Sequence, residues 1–116
     1  MVRPRVSVII PTYNRAHLVG EAMESGLNQT FPDLELLVVD DGSTDNTEEV
    51  VRSHTDSRLR YIAQENRGPG AARSAGLRVS RGEYVAFLDS DDLFCKDKLE
   101  KQILMLENCP EIGLSF

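Results

Sequence analysis

Several short polar clusters in this chain have residue types and spacings that could hold an anionic ligand through a metal ion. In "YVAFLDSDD", Tyr84 to Asp92, an apolar run leads straight into Asp89, Asp91 and Asp92. Like charges this close repel, and something must offset the cost. Hard divalent cations take carboxylate oxygens, and magnesium is typically held by one or two carboxylates together with substrate phosphates and waters. Asp89 and Asp91, two positions apart in a tight loop, can aim at one such ion. Asp is also a good helix cap, so an isolated D-x-D would read as an acidic capping loop. What favours the cation here is company: two further polar clusters also end apolar runs.

The first of these is "DDGSTD", Asp40 to Asp45. Gly42 can supply a turn, and Ser43 or Asp45 a helix cap. That leaves two adjacent acids, Asp40 and Asp41, of which one could accept hydrogen bonds from a base or a ribose. The glycine lies at the wrong offset for an EF-hand. The second is "PTYN", Pro11 to Asn14. Tyr13 could stack on a nucleobase or pack over the end of a sheet. A fourth segment, "NRGPGAARSAG", Asn66 to Gly76, is glycine-rich and opens a helix, whose N-terminus favours anions. It is neither dinucleotide fingerprint nor P-loop: Arg73 stands where the third glycine belongs, and no G-K-[ST] occurs. Arg67 and Arg73 are candidate partners for a phosphate or for the aspartates, or else exposed salt-bridging residues.

These clusters need a scaffold, and the apolar pattern supplies one. Arg5–Ile10, Leu34–Asp40, Leu59–Ala63 and Tyr84–Leu88 are strand-like, the first stopped by Pro11. Between them, helices are predicted over Ala16–Gln29, from the capping box Asp45-Asn46-Thr47-Glu48 to about Ser53, and over Pro69–Val79. Another follows over Asp97–Asn108, with Leu99, Ile103, Leu104 and Leu106 as its apolar side. In the first helix Leu18, Ala22, Met23, Gly26 and Leu27 share a face. "IGLSF", 112–116, reads as the start of a fifth strand. Alternating strands and helices mean βαβ units, an α/β fold with a mostly parallel sheet and flanking helices. Ligands of such sheets bind beyond the carboxyl ends of the strands. With strand order 3-2-1-4, the clusters after strands one, two and four would share one rim. The 1–116 chain carries no repeat or linker, and ending inside an apparent strand it is expected to be the N-terminal part of a truncated domain. An uncovered edge and apolar face would then favour self-association.

Composition narrows the partners. The chain has 116 residues, 41% of them hydrophobic, enough for one domain with a core. Nineteen Asp and Glu against 13 Lys and Arg give a net charge of −6, which argues against nucleic acid. An acidic protein that holds a phosphate also needs a cation between them. Cys95 and Cys109 flank the last helix, roughly 20 Å apart at the helical rise, beyond disulfide reach. A reducing, cytoplasmic setting is expected, or a peripheral one at the inner face of a membrane. The N-terminal apolar run is too short for a membrane span.

Together "VSVIIPTYNR", "LLVVDDGSTDNT", "NRGPGAARSAGL" and "GEYVAFLDSDD" resemble the family 2 glycosyltransferases of the Rossmann-like GT-A fold, over Val6 to about Asp92 and more weakly beyond. The resemblance implies an inverting enzyme that moves a sugar from a nucleotide-diphosphate donor, a UDP-sugar first among them, to a saccharide or lipid acceptor. It implies that Pro11, Thr12 and Tyr13 line the base pocket and that Asp41 contacts the base with Asp40 beside it. It further implies that Asp89 approaches the ribose and the metal, that Asp91 ligates Mn or Mg, and that Arg73 is the arginine of the glycine helix. The family's catalytic base is an acid well after the D-x-D loop, so no catalytic residue is assigned within this chain. Two other readings compete. A non-catalytic nucleotide-sugar-binding module would share these motifs. A receiver-like signalling domain would need its acidic pair after strand one, where Pro11 and Thr12 stand.

Overall fold

The computed structural model describes residues 3–108. The predicted fifth strand and Cys109 lie outside the described residues. Four strands, β1 (Val6–Thr12), β2 (Leu34–Asp40), β3 (Leu59–Ala63) and β4 (Tyr84–Phe87), alternate with α1 (Ala16–Leu27), α2 (Thr47–Arg52), α3 (Pro69–Val79) and α4 (Lys98–Asn108). The sheet order is β3-β2-β1-β4 with every pairing parallel, as predicted. Each strand must therefore return through a helix, which places α1, α2 and α3 in crossover connections.

Both faces of the sheet are covered, so β1 and β2 are apolar nearly throughout. Val6, Val8 and Ile10 point to the face where α1 contributes Val19, Ala22 and Met23 and α4 contributes Leu99 and Ile103. Ile9, Leu37 and Val39 point to the other face, beneath Ala72 of α3. Fully burying each of the valine, leucine, isoleucine and methionine side chains among these stabilises the fold by roughly 1.5–3 kcal/mol. α3 lies very close to β1: a Cβ placed on Gly76 would come within 2.6 Å of Ile9 Cγ2.

Pro11 does not stop β1, contrary to expectation. Ile9 O accepts from Leu88 N on the β4 side, while Thr12 O accepts from Asp41 N on the β2 side. By the two-residue alternation Pro11 faces the β4 side, where the ladder has ended, so its missing N–H loses no bond. Pro11 and Thr12 are therefore the last residues of the strand, and the loop begins at Tyr13. α1 ends two residues earlier than predicted because Gln29 has another use. Its side-chain amide donates to Ser25 O and Cys95 O and its Oε1 accepts from Leu99 N, tying α1 to the start of α4. Nor is there a capping box on α2. Asp45 Oδ1 accepts from Thr47 N and Oγ1, and Glu48 pairs instead with Arg52 at 2.7 Å. Leu104, expected on the buried side of α4, is 54% exposed, while Leu99, Ile103 and Leu106 are buried as expected. Leu18 is only partly buried, and Val19 takes the inward position.

Two ionic groups fasten the end of the sheet away from the clusters. Buried Glu35 accepts from Ser7 Oγ at 2.5 Å, from Arg81 N at 2.6 Å and from Arg60 Nη1 at 3.0 Å, and Ser7 Oγ also accepts from Gly82 N. Burial pushes the Glu35 carboxyl up, but these donors together carry it below its ordinary value. Arg58 grips Asp56 through two nitrogens at 3.0 and 2.8 Å and holds its carboxyl down at about 2.

Candidate functional site

The three clusters do share one rim, at the carboxyl ends of β1, β2 and β4. The β2 loop is shaped by its own acids. Asp40 Oδ1 accepts from Ser43 N at 2.9 Å, and Asp40 Oδ2 from the Tyr61 hydroxyl of β3 at 2.6 Å. Burial and this carboxylate push the Tyr61 phenol up, so it stays a donor. Gly42 has φ +83, and a Cβ there would meet Asn66 N at 2.9 Å. Glycine permits both the turn and the close approach of the 64–68 loop.

Asp41 organises that loop. Its Oδ1 accepts from Gln64 Nε2 and Arg67 N, both at 2.8 Å, and its Oδ2 from Gly68 N at 2.9 Å. Burial alone would raise this carboxyl, and the three donors more than reverse it, holding it ionised. A carboxylate has about four acceptor positions, so one position of Asp41 has no donor among these three. The β1 loop is fastened to the β2 loop. Asn14, at φ +51, accepts through Oδ1 from Thr44 N at 2.7 Å and from Asp45 N at 3.3 Å, and its own N–H donates to Ser43 Oγ.

A cavity of about 520 Å³ opens between these loops. β1 and its loop supply Pro11, Thr12, Tyr13 and Arg15, the β2 loop Asp41, and the loop and first turns of α3 Asn66, Gly68, Pro69, Ala72 and Arg73. Asp89, Ser90 and Asp91 close the remaining side. Tyr13 is 43% exposed, whereas Thr12 Oγ1 is buried with no hydrogen-bond partner among the described residues. Arg73 Nη2 lies 3.2 Å from Asp89 Oδ1, so the cation expected near a phosphate or the aspartates is paired with an aspartate. A second hollow, about 720 Å³, lies across that pair and is lined by Phe87, Asp92, Leu93, Phe94 and Lys98 among others. The acidic loop thus divides: Asp89 borders both hollows, Asp91 the first and Asp92 the second.

Of the residues singled out from sequence, Pro11, Thr12, Tyr13, Asp41, Arg73, Asp89 and Asp91 come together on the first cavity. Asp40 does not line it, because both its oxygens are turned to Ser43 and Tyr61. The adjacent acids therefore have internal work as well, which loop chemistry in sequence did not reveal. Arg67 also stays outside, its side chain exposed and paired with Glu65 at 3.6 Å. Arg15, Asn66 and Ser90 were missed. They lie within the quoted motifs without having been singled out there, and only the folding of the loops sets them on the cavity. Among the described residues no group of three or more His, Cys, Asp or Glu side chains converges as a self-sufficient metal site. Two hard carboxylates on one cavity wall suit a cation that takes its other ligands from phosphates and water.

Comparison with known proteins adds four likenesses. The family model "Glycosyl transferase family 2" matches residues 7–114. The chain is 44% identical over 105 residues to the Escherichia coli UDP-Glc:alpha-D-GlcNAc-diphosphoundecaprenol beta-1,3-glucosyltransferase WfgD, covering 89% of this chain and 42% of that one. It superposes on Staphylococcus aureus TarS 1-349 in complex with UDP-GlcNAc with a TM-score of 0.84 at 36% identity, over 90% of this chain and 31% of that one. It superposes on the Pyrobaculum calidifontis mannosyltransferase PcManGT, in complex with GDP-Man and Mn2+, with a TM-score of 0.82 at 38% identity, over 91% and 33%. Across the curated relatives it matches, the chain spans 17% of the length of one and 45% of another.

Proposed function

The chain belongs to glycosyl transferase family 2 and has the GT-A fold, and from that premise we propose that its rim binds the nucleotide-diphosphate donor, a UDP-sugar, of an inverting glycosyl transfer. The observation that carries this is the makeup of the one cavity. At one end stand an exposed aromatic ring, a buried hydroxyl with no hydrogen-bond partner among the described residues and a carboxylate with one acceptor position left: Tyr13, Thr12 and Asp41. At the other stand two carboxylates and a guanidinium: Asp89, Asp91 and Arg73. A nucleoside suits the first set and a diphosphate the second. Tyr13 would stack on the base, and Asp41 would accept from its N–H. Asp89 would approach the ribose.

Asp89 and Asp91 would hold Mn or Mg, whose chemistry is to neutralise the diphosphate and stabilise the departing nucleotide. That also explains how a chain of net charge −6 receives an anion. The complexes of TarS with UDP-GlcNAc and of PcManGT with Mn2+ support the donor and the cation. The name of WfgD supports a lipid-linked saccharide as acceptor. Such an acceptor fits a protein working peripherally at the inner face of a membrane. No helix among the described residues is long and apolar enough to cross one. The base that takes the acceptor's proton belongs, on this reading, to the part of the protein after the acidic loop, since Asp40 is bonded to Ser43 and Tyr61, Asp41 is given to the nucleoside, and Asp89 and Asp91 are given to the cation and ribose.

The test is calorimetric titration of UDP with Mn and in EDTA. Binding should be strong only with the metal, and Asp91→Asn should remove most of the difference, because a neutral amide is a poorer ligand for a hard cation. Equal affinity in EDTA would overturn the metal role. A protein that binds UDP-sugar and transfers nothing to any saccharide or lipid acceptor would instead be a non-catalytic binding module.

A further inference from the structure

Asn14 is the only non-glycine residue with positive φ among the described residues. It stands between Tyr13 and Arg15, both on the cavity wall, yet its own bonds lead elsewhere. Its Oδ1 accepts from Thr44 N at 2.7 Å, Thr44 Oγ1 at 3.4 Å and Asp45 N at 3.3 Å, and its N–H donates to Ser43 Oγ at 2.9 Å. Ser43, Thr44 and Asp45 do not line the cavity. On the other side of Tyr13, Thr12 O accepts from Asp41 N at 2.9 Å. Tyr13 is thus a single exposed residue whose two chain neighbours are each bonded to the β2 loop. Asp45 adds a strut, accepting from Ala16 N at the start of α1.

We propose that Asn14 is a positioning residue for donor binding: its left-handed backbone and side-chain carbonyl clamp the β1 loop to the β2 loop and thereby fix the Tyr13 ring over the cavity. The chemistry selects this residue type. Asparagine tolerates the left-handed region better than other side chains. Its carbonyl mimics a backbone acceptor and can serve the two successive N–H groups of Thr44 and Asp45. Alanine would lose both properties, glycine would keep only the backbone freedom, and aspartate would keep both. The inference rests on the donor reading given above for the cavity, but the clamp itself can be tested without any nucleotide.

The first measurement is amide hydrogen exchange of the protein without ligand. In Asn14→Ala the amides of Thr44 and Asp45 should lose protection by about tenfold or more, with the β1 and β2 core amides unchanged. Unchanged protection at 44 and 45 would overturn the clamp, whatever the cavity binds. The second is UDP affinity in the presence of Mn. Asn14→Ala should weaken it about tenfold, Asn14→Gly less, and Asn14→Asp should restore it to near the parent value. The decisive arm is the double variant. Because Asn14 acts through Tyr13, adding Asn14→Ala to Tyr13→Ala should weaken UDP binding no further than Tyr13→Ala alone. Full additivity of the two changes would overturn the proposal, as would a Tyr13→Ala variant that binds like the parent while Asn14→Ala does not. If the parent binds no nucleotide while the exchange result holds, the donor reading fails and the clamp stands.

Discussion

Replacing Asp41 with Asn should cost both the fold and the ligand, and the structure gives the size of the first effect. The carboxylate accepts three hydrogen bonds, two at Oδ1 from Gln64 and Arg67 and one at Oδ2 from Gly68. An amide has only one acceptor atom. In its better orientation the oxygen keeps the two donors at the Oδ1 position, and the NH2 group then points at the Gly68 N–H. One buried donor is left unsatisfied, at about 1–3 kcal/mol, and the remaining bonds lose their charge assistance. The sum is about 2–4 kcal/mol. With a urea m-value of about 1.5 kcal/mol per M, the unfolding midpoint should fall by about 2 M. Circular dichroism in urea measures that directly. The ligand effect is separable. If Asp41 spends its remaining acceptor position on a uracil N–H, UDP should outcompete CDP, which lacks that donor, by about tenfold in the parent protein. In Asp41→Asn at low urea the preference should shrink, because an amide can turn its NH2 toward the cytosine acceptor. A midpoint shift below about 0.3 M would refute the claim that this carboxylate holds the 64–68 loop. Equal UDP and CDP affinity in the parent would refute its part in choosing the base.

Gly76→Ala should destabilise by about 1–2 kcal/mol even though alanine is the better helix former, because crowding Ile9 outweighs a propensity gain of about 1 kcal/mol; a rise in the urea midpoint would show that α3 can move off β1. Acid should unfold the protein in a definite window. Asp56, at about 2 in the fold against an ordinary 3.8, and Glu35 and Asp41, both lowered, contribute stability that is fully present above their ordinary values and is lost as pH falls through their folded ones. Urea midpoints should therefore decline from about pH 4.5 downward, and Arg58→Ala should remove the part of the decline nearest pH 2; midpoints flat to pH 3 would contradict the assigned pairs.

The sheet was legible because its signals are local and repeated. β-branched runs alternating with helical segments give parallel strands, and the common order 3-2-1-4, once assumed, sets the polar clusters after strands one, two and four along one rim, as found. What the sequence hid were contacts between loops far apart in the chain. Pro11 looked like a stop signal, and only the end of the β4 ladder beside it makes it harmless. Asp45 and Glu48 had the spacing of a capping box, but Thr47 and Arg52 competed successfully for their oxygens. Asp40 and Asp41 looked alike, yet one pleat of the strand turns Asp40 back to Tyr61 and leaves Asp41 on the cavity. Arg15 and Asn66 have no pattern of their own; their place follows from Asn14 and Gly42, whose positive φ values bend two loops together.

The parallel order carries a cost in time. β1 meets its first partner 28 positions later, from Val6 opposite Leu34, and its second 78 positions later, from Val6 opposite Tyr84. At about 5–20 residues per second, a ribosome takes roughly 4–16 s to deliver that second partner. Throughout that interval β1, buried along its whole length in the finished sheet, lacks its β4 partner, and the bare edge is a template for any other extended chain. A nascent chain halted before residue 84 is therefore a candidate for chaperone capture. The segment that covers this edge also brings Asp89 and Asp91 to the rim, so one step of synthesis both pairs the second side of β1 and completes the wall of the cavity.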